Sequence, residues 1–423
     1  MKKLKNWLAG NSANVTKMGV LWNFIASTEY SLQSAVLVLA VTRINGLYDA
    51  GVFTLAYTIT QMMTTIGNYG MRAFQVSDSQ NEYSFPQYFS SRMVTSLVMM
   101  GICTVCACIY GLTESRGKLI MILCGYRIIE VIEDVIHGEM QKAGRLDVGA
   151  KIEAVRIFIV TAAFVGVCLG TRDVVAASTA MFACSLVVTL ALNILVLNNF
   201  NEVTFRPELT RLYRLLWVCL PICACDFLYN NLVNAPKYAI ERNLSEESQA
   251  VFSILFMPVF TISILSSFIY KPLMADMGVY WNQKENVKFF RIILKQFLAI
   301  AVLTLFIAAG GAIIGLRLLG IIYGLDLNEY KGLFVLLLGF GGVAALDAFL
   351  VIVLTIMRKQ RWSIVAYAIS MACVISTIDR MVSAFGLWGA GLLYSFSMGV
   401  VMVVLFPVVL SALYKARKNV ECN

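Results

Sequence analysis

Charge is scarce in this chain. Charged residues make up 14% of its 423 positions, whereas soluble domains run nearer a quarter. An ordinary soluble, solvent-covered domain is therefore excluded. Histidine is all but missing, with His137 the single one. That removes the co-ligands a soft-metal site needs. The run Cys103, Cys106 and Cys108 has metal-like spacing but reads as small residues at helix contacts, so no metal and no cofactor are expected. Ten of the 11 cysteines fall in apolar segments and Cys422 in the tail, which leaves no external disulfide to expect. Long polar stretches are lacking too, so there is no room for a separate catalytic domain.

What the chain has instead is hydrophobic length. Apolar residues reach 59%, and segments long enough to span recur about twelve times; a bilayer core takes roughly 20 apolar residues to cross as a helix. Unpaired backbone groups are not tolerated in lipid, so each segment must be helical. The spans are placed at 17–42, 48–71, 88–111, 118–140, 149–170, 173–197, 212–236, 249–271, 288–316, 331–356, 361–379 and 386–413, with an apolar loop at 316–331. The fold expected is an all-α integral membrane protein of twelve transmembrane helices.

Basic residues set the orientation, because cytoplasmic loops hold the excess of Lys and Arg. With the N-terminus inside, the cytoplasmic segments and adjoining span ends hold 23 of the 34 basic residues, Arg92 and Arg156 among them, and the outer segments hold 9. Both termini are then cytoplasmic in a multi-pass cell-membrane protein. The formal charge of +9 is explained by anionic inner-leaflet lipid, and no nucleic-acid partner is needed. The first span is too long for a signal peptide and no A-x-A site follows it, so it is expected to be retained.

The polar stretch Asn198–Arg211 divides the chain into an N-terminal six-helix lobe, 1–200, and a C-terminal one, 201–423. Both halves start inside, which makes them parallel repeats about an axis along the membrane normal.

Function has to be sought in the polar residues kept inside the membrane, which are expensive there. Helical spacing gathers them on faces. In the fourth span Arg127, Glu130, Asp134, His137 and Gln141 share one narrow face, with Glu133 at its edge. One basic group among acids in low dielectric is expected to be paired, as Arg127 with Glu130. Such a cluster is either a lock between helices or part of the transport machinery. The second span places Tyr57, Gln61, Thr64, Asn68 and Arg72 on one face; the first carries Trp22, Glu29 and Gln33. The seventh carries Asp226, Asn230, Asn234 and Lys237 above an expected kink at Pro221. Single polar groups at helix contacts can be structural glue, but faces on three spans suit a wetted cavity. Asp347 in the tenth span is either a packing-buried or paired acid or a coupling site.

The stretch from Met18 to Asp78, with MGVLWN and GNYGMRAFQVSD, resembles the polysaccharide-biosynthesis flippases of the multidrug/oligosaccharidyl-lipid/polysaccharide (MOP) superfamily. The segments NEYSFPQYFSSR, QKAGRLDVGAKIEAVR and NAPKYAIERNLSEESQAVF resemble the same family. The resemblance implies two six-helix lobes forming a V that opens alternately to each side. It also implies export of an undecaprenyl-diphosphate-linked oligosaccharide, with helices one, two, seven and eight lining a central cavity.

The function expected is therefore flipping of a lipid-linked oligosaccharide from the cytoplasmic to the outer leaflet. Glu29, Gln33, Tyr57, Gln61, Asn68, Arg72, Asp226, Asn230, Asn234 and Lys237 are the candidate cavity residues. Arg127, Glu130, Asp134 and His137 are the candidate intramembrane charge network. Cationic groups would hold the diphosphate, with Arg72 at the cytoplasmic mouth. Acids such as Glu29 or Asp226 would exchange a coupling proton or sodium ion. A drug or cation antiporter of the same superfamily is the first rival; acids and aromatics would dominate its cavity. A membrane glycosyltransferase, polymerase or ligase is the second, and the short outer loops speak against any enzyme.

Overall fold

The computed structural model describes residues 15–78, 82–197, 208–270 and 273–421. Most of the polar stretch between the proposed halves, 198–207, lies outside the described residues. Every regular element among the described residues is helical. In chain order these are α1 (Val15–Ile44), α2 (Leu47–Asn68), α3 (Met71–Ser77), α4 (Phe85–Ile109), α5 (Ser115–Lys142), α6 (Leu146–Thr171) and α7 (Val174–Leu197). There follow α8 (Leu209–Asn243), α9 (Glu246–Tyr270), α10 (Met274–Asn282), α11 (Asn286–Gly310), α12 (Leu316–Tyr323), α13 (Lys331–Ile356) and α14 (Arg361–Glu421).

Nine helical stretches among the described residues are long and apolar enough to cross a membrane. One of them, Arg361–Tyr414, turns at Gly386, whose φ of 57° and ψ of −134° are open essentially to glycine alone. That turn separates the eleventh and twelfth spans. The two remaining spans are α2 and α5, which fall outside the nine. Both are polar for their length, and both present polar groups to protein instead of lipid.

Each half packs around one helix. The chain forms two compact units, Met1–Phe227 and Leu228–Asn423. In the first, α5 lies against α2, α3, α4, α6 and α7, while α1 packs on α6. In the second, α13 lies against α9, α10, α11 and α14. Lipid supplies no hydrophobic force between helices, so close approach at small residues carries the packing. A side chain on Gly341 of α13 would come within 2.9 Å of Val259 on α9, and one on Gly342 would run into Thr304 on α11.

Several sequence boundaries shift. The second span ends at Asn68, not at 71, because Tyr69 and Gly70 take left-handed backbone, φ 50° and 63°. The chain then restarts as α3. Residues 316–331, expected as an apolar loop, contain α12, reached from α11 through a π-helical turn at Gly311–Gly315. Between the eighth and ninth spans the chain forms a further short helix, α10.

Two further corrections bear on function. Arg92 and Arg156, counted above among cytoplasmic and span-end basic residues, lie inside α4 and α6 and are fully buried. They serve the interior of the first unit and not the lipid headgroups. The basic bias survives without them.

Candidate functional site

The polar face of α5 points inward, and Arg127, Glu130, Asp134 and Gln141 each meet a partner from another helix. Arg127 is wholly buried. It donates to Glu130 one turn on, at 2.5 Å, and to Gln61 of α2. Its guanidinium lies 4.5 Å from the centroid of the Tyr57 ring and 5.4 Å from that of Tyr126, a cation–π contact strengthened by the absence of water. Glu130 also meets Arg156 of α6 at 3.5 Å. Arg156 pairs with Glu133 in turn, and Asn193 of α7 donates to Glu133 at 3.2 Å.

One turn further along α5, Asp134 accepts from two arginines. Arg72 of α3 donates at 2.8 Å and Arg92 of α4 at 2.7 Å. Arg72 also donates to Gln141 at 3.2 Å. Arg92 donates as well to the main-chain oxygens of Gly67, at 3.0 Å, and Asn68. Those are carbonyls that the end of α2 leaves without an intrahelical partner. A buried guanidinium thus closes the helix terminus. His137 sits between these two groups, its Nε2 3.8 Å from Glu133.

These side chains enclose a cavity of about 260 Å³. Glu130, Glu133, Asp134 and His137 reach it from α5, Glu153 and Arg156 from α6. Tyr30 lines it from α1, Thr64 and Asn68 from α2, and Arg72 from α3. Its more open end is at Arg72 and Asp134, whose side chains keep 31% and 21% exposure.

The candidate residues thus divide. Tyr57, Gln61, Asn68 and Arg72 join Arg127, Glu130, Asp134 and His137 in one network within the first unit. Gln33 is buried beside it, donating to Thr161 at 3.1 Å and accepting from the Tyr126 hydroxyl at 3.2 Å. Glu29 is half-buried on α1, with Oε2 lacking a hydrogen-bond partner. On α8, Asp226 is exposed, Asn230 is half-buried, and Asn234 and Lys237 are buried. Lys237 lies 5.8 Å from the Phe256 ring centroid and has no carboxylate within ion-pair reach among the described residues. Asp347, in the middle of α13, is fully buried with neither oxygen hydrogen-bonded.

The sequence reading missed Arg92, Arg156 and Glu153. A signal for Arg92 existed: Ser91, Arg92, Thr95 and Ser96 form a polar patch at i, i+3 and i+4 spacing, and an anchor at a headgroup does not need one. For Arg156 and Glu153 the three-residue spacing on one helix face was available.

Outside the membrane, Asp78 follows α3 and ties that end of the unit together. It accepts from the Glu82 and Tyr83 N–H groups at 2.9 and 3.1 Å and from the Tyr88 hydroxyl at 3.0 Å, and Lys142 of α5 lies 3.6 Å away. Burial alone would raise its pKa. The two N–H groups, the hydroxyl and the ammonium outweigh burial and hold the carboxyl below its usual range.

No family model and no curated protein sequence matches the chain. Solved structures do match its fold. An inward-facing multidrug resistance MATE family transporter of the MOP superfamily superposes with a TM-score of 0.68 at 13% identity, covering 92% of this chain and 95% of that one. An outward-facing structure of such a transporter gives 0.57 at 14% identity, over 98% and 99%. A MOP superfamily transporter from Pyrococcus furiosus, described as having a binding pocket of reversed polarity, gives 0.56 at 12% identity, over 98% of each chain. The chain is a multi-pass membrane protein with the twelve-helix, two-lobe fold of these transporters.

Proposed function

We propose that this chain is an exporter working by alternating access, and that it moves an undecaprenyl-diphosphate-linked oligosaccharide from the cytoplasmic to the outer leaflet. The fold is one found in both inward-facing and outward-facing transporters, which supports the alternating mechanism. The physical problem suits it: a sugar diphosphate cannot cross hydrocarbon, while a polyprenyl tail can remain in lipid.

The observation that carries the substrate class is Lys237. A buried ammonium without a carboxylate partner is costly and is best explained by an anion that arrives with the substrate. Asn230 and Asn234 lie on the same face of α8 at helical spacing and suit sugar hydroxyls. Arg72, by contrast, already spends its fork on Asp134 and Gln141; its role at the mouth is to hold that network and meet the head group with what remains exposed. The reversed pocket polarity described for the Pyrococcus furiosus transporter, said to suggest a different function, supports the idea that this fold serves more than one class of substrate.

Depletion of the chain in its own cell should strand the lipid-linked oligosaccharide on the cytoplasmic side. Lys237→Arg should relieve that block and Lys237→Ala should not.

A second reading has its own observation. Asp347 is a buried acid without a hydrogen-bond partner among the described residues, and Tyr229 and Tyr394 lie within its electrostatic reach. An acid among aromatics suits a cationic drug. Efflux of a cationic dye lost in Asp347→Asn but kept in Lys237→Ala would favour this antiporter.

A further inference from the structure

The network of the first unit has beside it one carboxylate that stands outside its ion pairs. Arg72, Arg92, Arg127 and Arg156 are tied to Glu130, Glu133 and Asp134 by the ion pairs described above. That set of four guanidiniums and three carboxylates leaves one positive charge in excess. Glu153 of α6 opens onto the same cavity. Among the described residues it has no ion pair and no side-chain hydrogen bond, unlike each of the three other acids there.

Helix geometry aims it. Gly149, Glu153 and Arg156 recur at i, i+4 and i+7 and share one face of α6. Gly149 packs directly on His137, whose Cβ lies 3.2 Å from where a side chain on Gly149 would begin. His137 is 3% exposed, lines the cavity, and its Nε2 has no hydrogen-bond partner. An imidazole nitrogen and a carboxylate, neither hydrogen-bonded among the described residues, therefore share one polar chamber that the partly exposed Arg72–Asp134 pair also lines.

We propose that this chamber is a proton-loading site, with Glu153 as the group that takes the proton and His137 as the residue that positions and relays it. The proton enters from water past Arg72 and Asp134. It adds to the Glu153 carboxylate, giving a neutral carboxylic acid, and leaves the surrounding network with its single excess positive charge. Loss of the proton restores neutrality. The charge of the whole interior thus changes by one unit while its ion pairs stay intact.

Titratable and charged groups face Glu153 from three neighbouring helices and from its own. From α5 they are Glu130, Glu133, Asp134 and His137, and from α3 Arg72. Tyr30 faces it from α1 and Arg156 from its own helix. Packed against α6 on its other side, α7 brings Asn193 to Glu133 and no Asp, Glu, Lys or Arg of its own. Three of the four acids are held by arginine; Glu153 is the one free to titrate without breaking a pair. A role for that proton in coupling rests on the transporter reading, but the site itself does not.

The test is pH-difference infrared spectroscopy on the full chain in lipid. On acidification the wild type should gain a protonated-carboxyl band. Glu153→Gln should lose it. Glu153→Asp should keep it at a displaced frequency, and His137→Gln should keep it with a shifted midpoint. A band unchanged in Glu153→Gln would overturn the proposal. Should that variant not fold, a band in Glu153→Asp with wild-type frequency and midpoint would overturn it equally. In proteoliposomes carrying labelled lipid-linked oligosaccharide, a pH gradient should drive the wild type and not Glu153→Gln. If the band follows Glu153 and the wild type moves nothing, the transporter reading fails and the proton site stands.

Discussion

Arg92 of α4 donates to Asp134 of α5 at 2.7 Å and, from its other terminal nitrogen, to the main-chain oxygen of Gly67 at 3.0 Å. One side chain therefore joins three helices at the point where α2 breaks. The planar fork makes this possible; an ammonium is a point charge and cannot hold the same two directions. Arg92→Lys should consequently behave almost as badly as Arg92→Ala. Both should lower the yield of folded protein, since removing one partner of a buried pair costs about 3–5 kcal/mol. Size-exclusion profiles at matched expression would show it. Wild-type behaviour of the Lys variant would contradict the three-way role.

Arg127 and Glu130 are not equivalent partners. Without Arg127, Glu130 still has Arg156 at 3.5 Å. Without Glu130, Arg127 keeps Gln61 and the Tyr57 and Tyr126 side chains, with no carboxylate paired to it among the described residues. Glu130→Ala should therefore destabilise more than Arg127→Ala, and the double variant less than the two losses added. Thermal unfolding of the single and double variants measures the cycle. Equal and additive losses would show that the pair acts independently of Arg156.

Asp78 predicts a dependence on acid. Its folded carboxyl is held below the usual range, so the stability it adds is present above its unfolded pKa, about 3.9. That stability is lost as pH falls through the lower, folded value. Asp78→Asn should cost about 1–3 kcal/mol near neutrality and should flatten the acid limb of the stability curve. Unfolding temperatures across acidic buffers test this, and parallel curves for the two proteins would refute it.

Topology is open to labelling. The basic bias places the connection after α10 inside and the one between α4 and α5 outside. In a cysteine-free background, Gln283→Cys should react only from the inner face and Thr113→Cys only from the outer. Both positions are exposed. Outer labelling at position 283 would invert the orientation.

Much of this fold is legible in the sequence because lipid leaves few choices. An apolar run of sufficient length must be a helix, and the five polar residues of α5 can share a narrow face only if that face is turned to protein. The breaks were less legible. Tyr69 and Gly70 interrupt α2 inside an apolar stretch, and what stabilises the break, Arg92, is distant in sequence. Its position near a span end made Arg92 look like a headgroup anchor, as it did Arg156. Charge counting treats every arginine alike, whereas burial separates one that meets lipid from one that closes a helix terminus. Glu153 shares a helix face with Arg156 in the sequence, but what sets it apart is having no ion pair among the described residues, and that only the packed structure discloses.

On the function proposed above, an anionic, lipid-linked sugar crosses the membrane on this chain. The most direct test is transport by the purified full chain in proteoliposomes, with labelled undecaprenyl-diphosphate-linked oligosaccharide and a cationic dye offered side by side. The oligosaccharide should move to the opposite leaflet in the wild type and in Lys237→Arg but not in Lys237→Ala, with the dye retained. Export of the dye with the oligosaccharide left in place would contradict it.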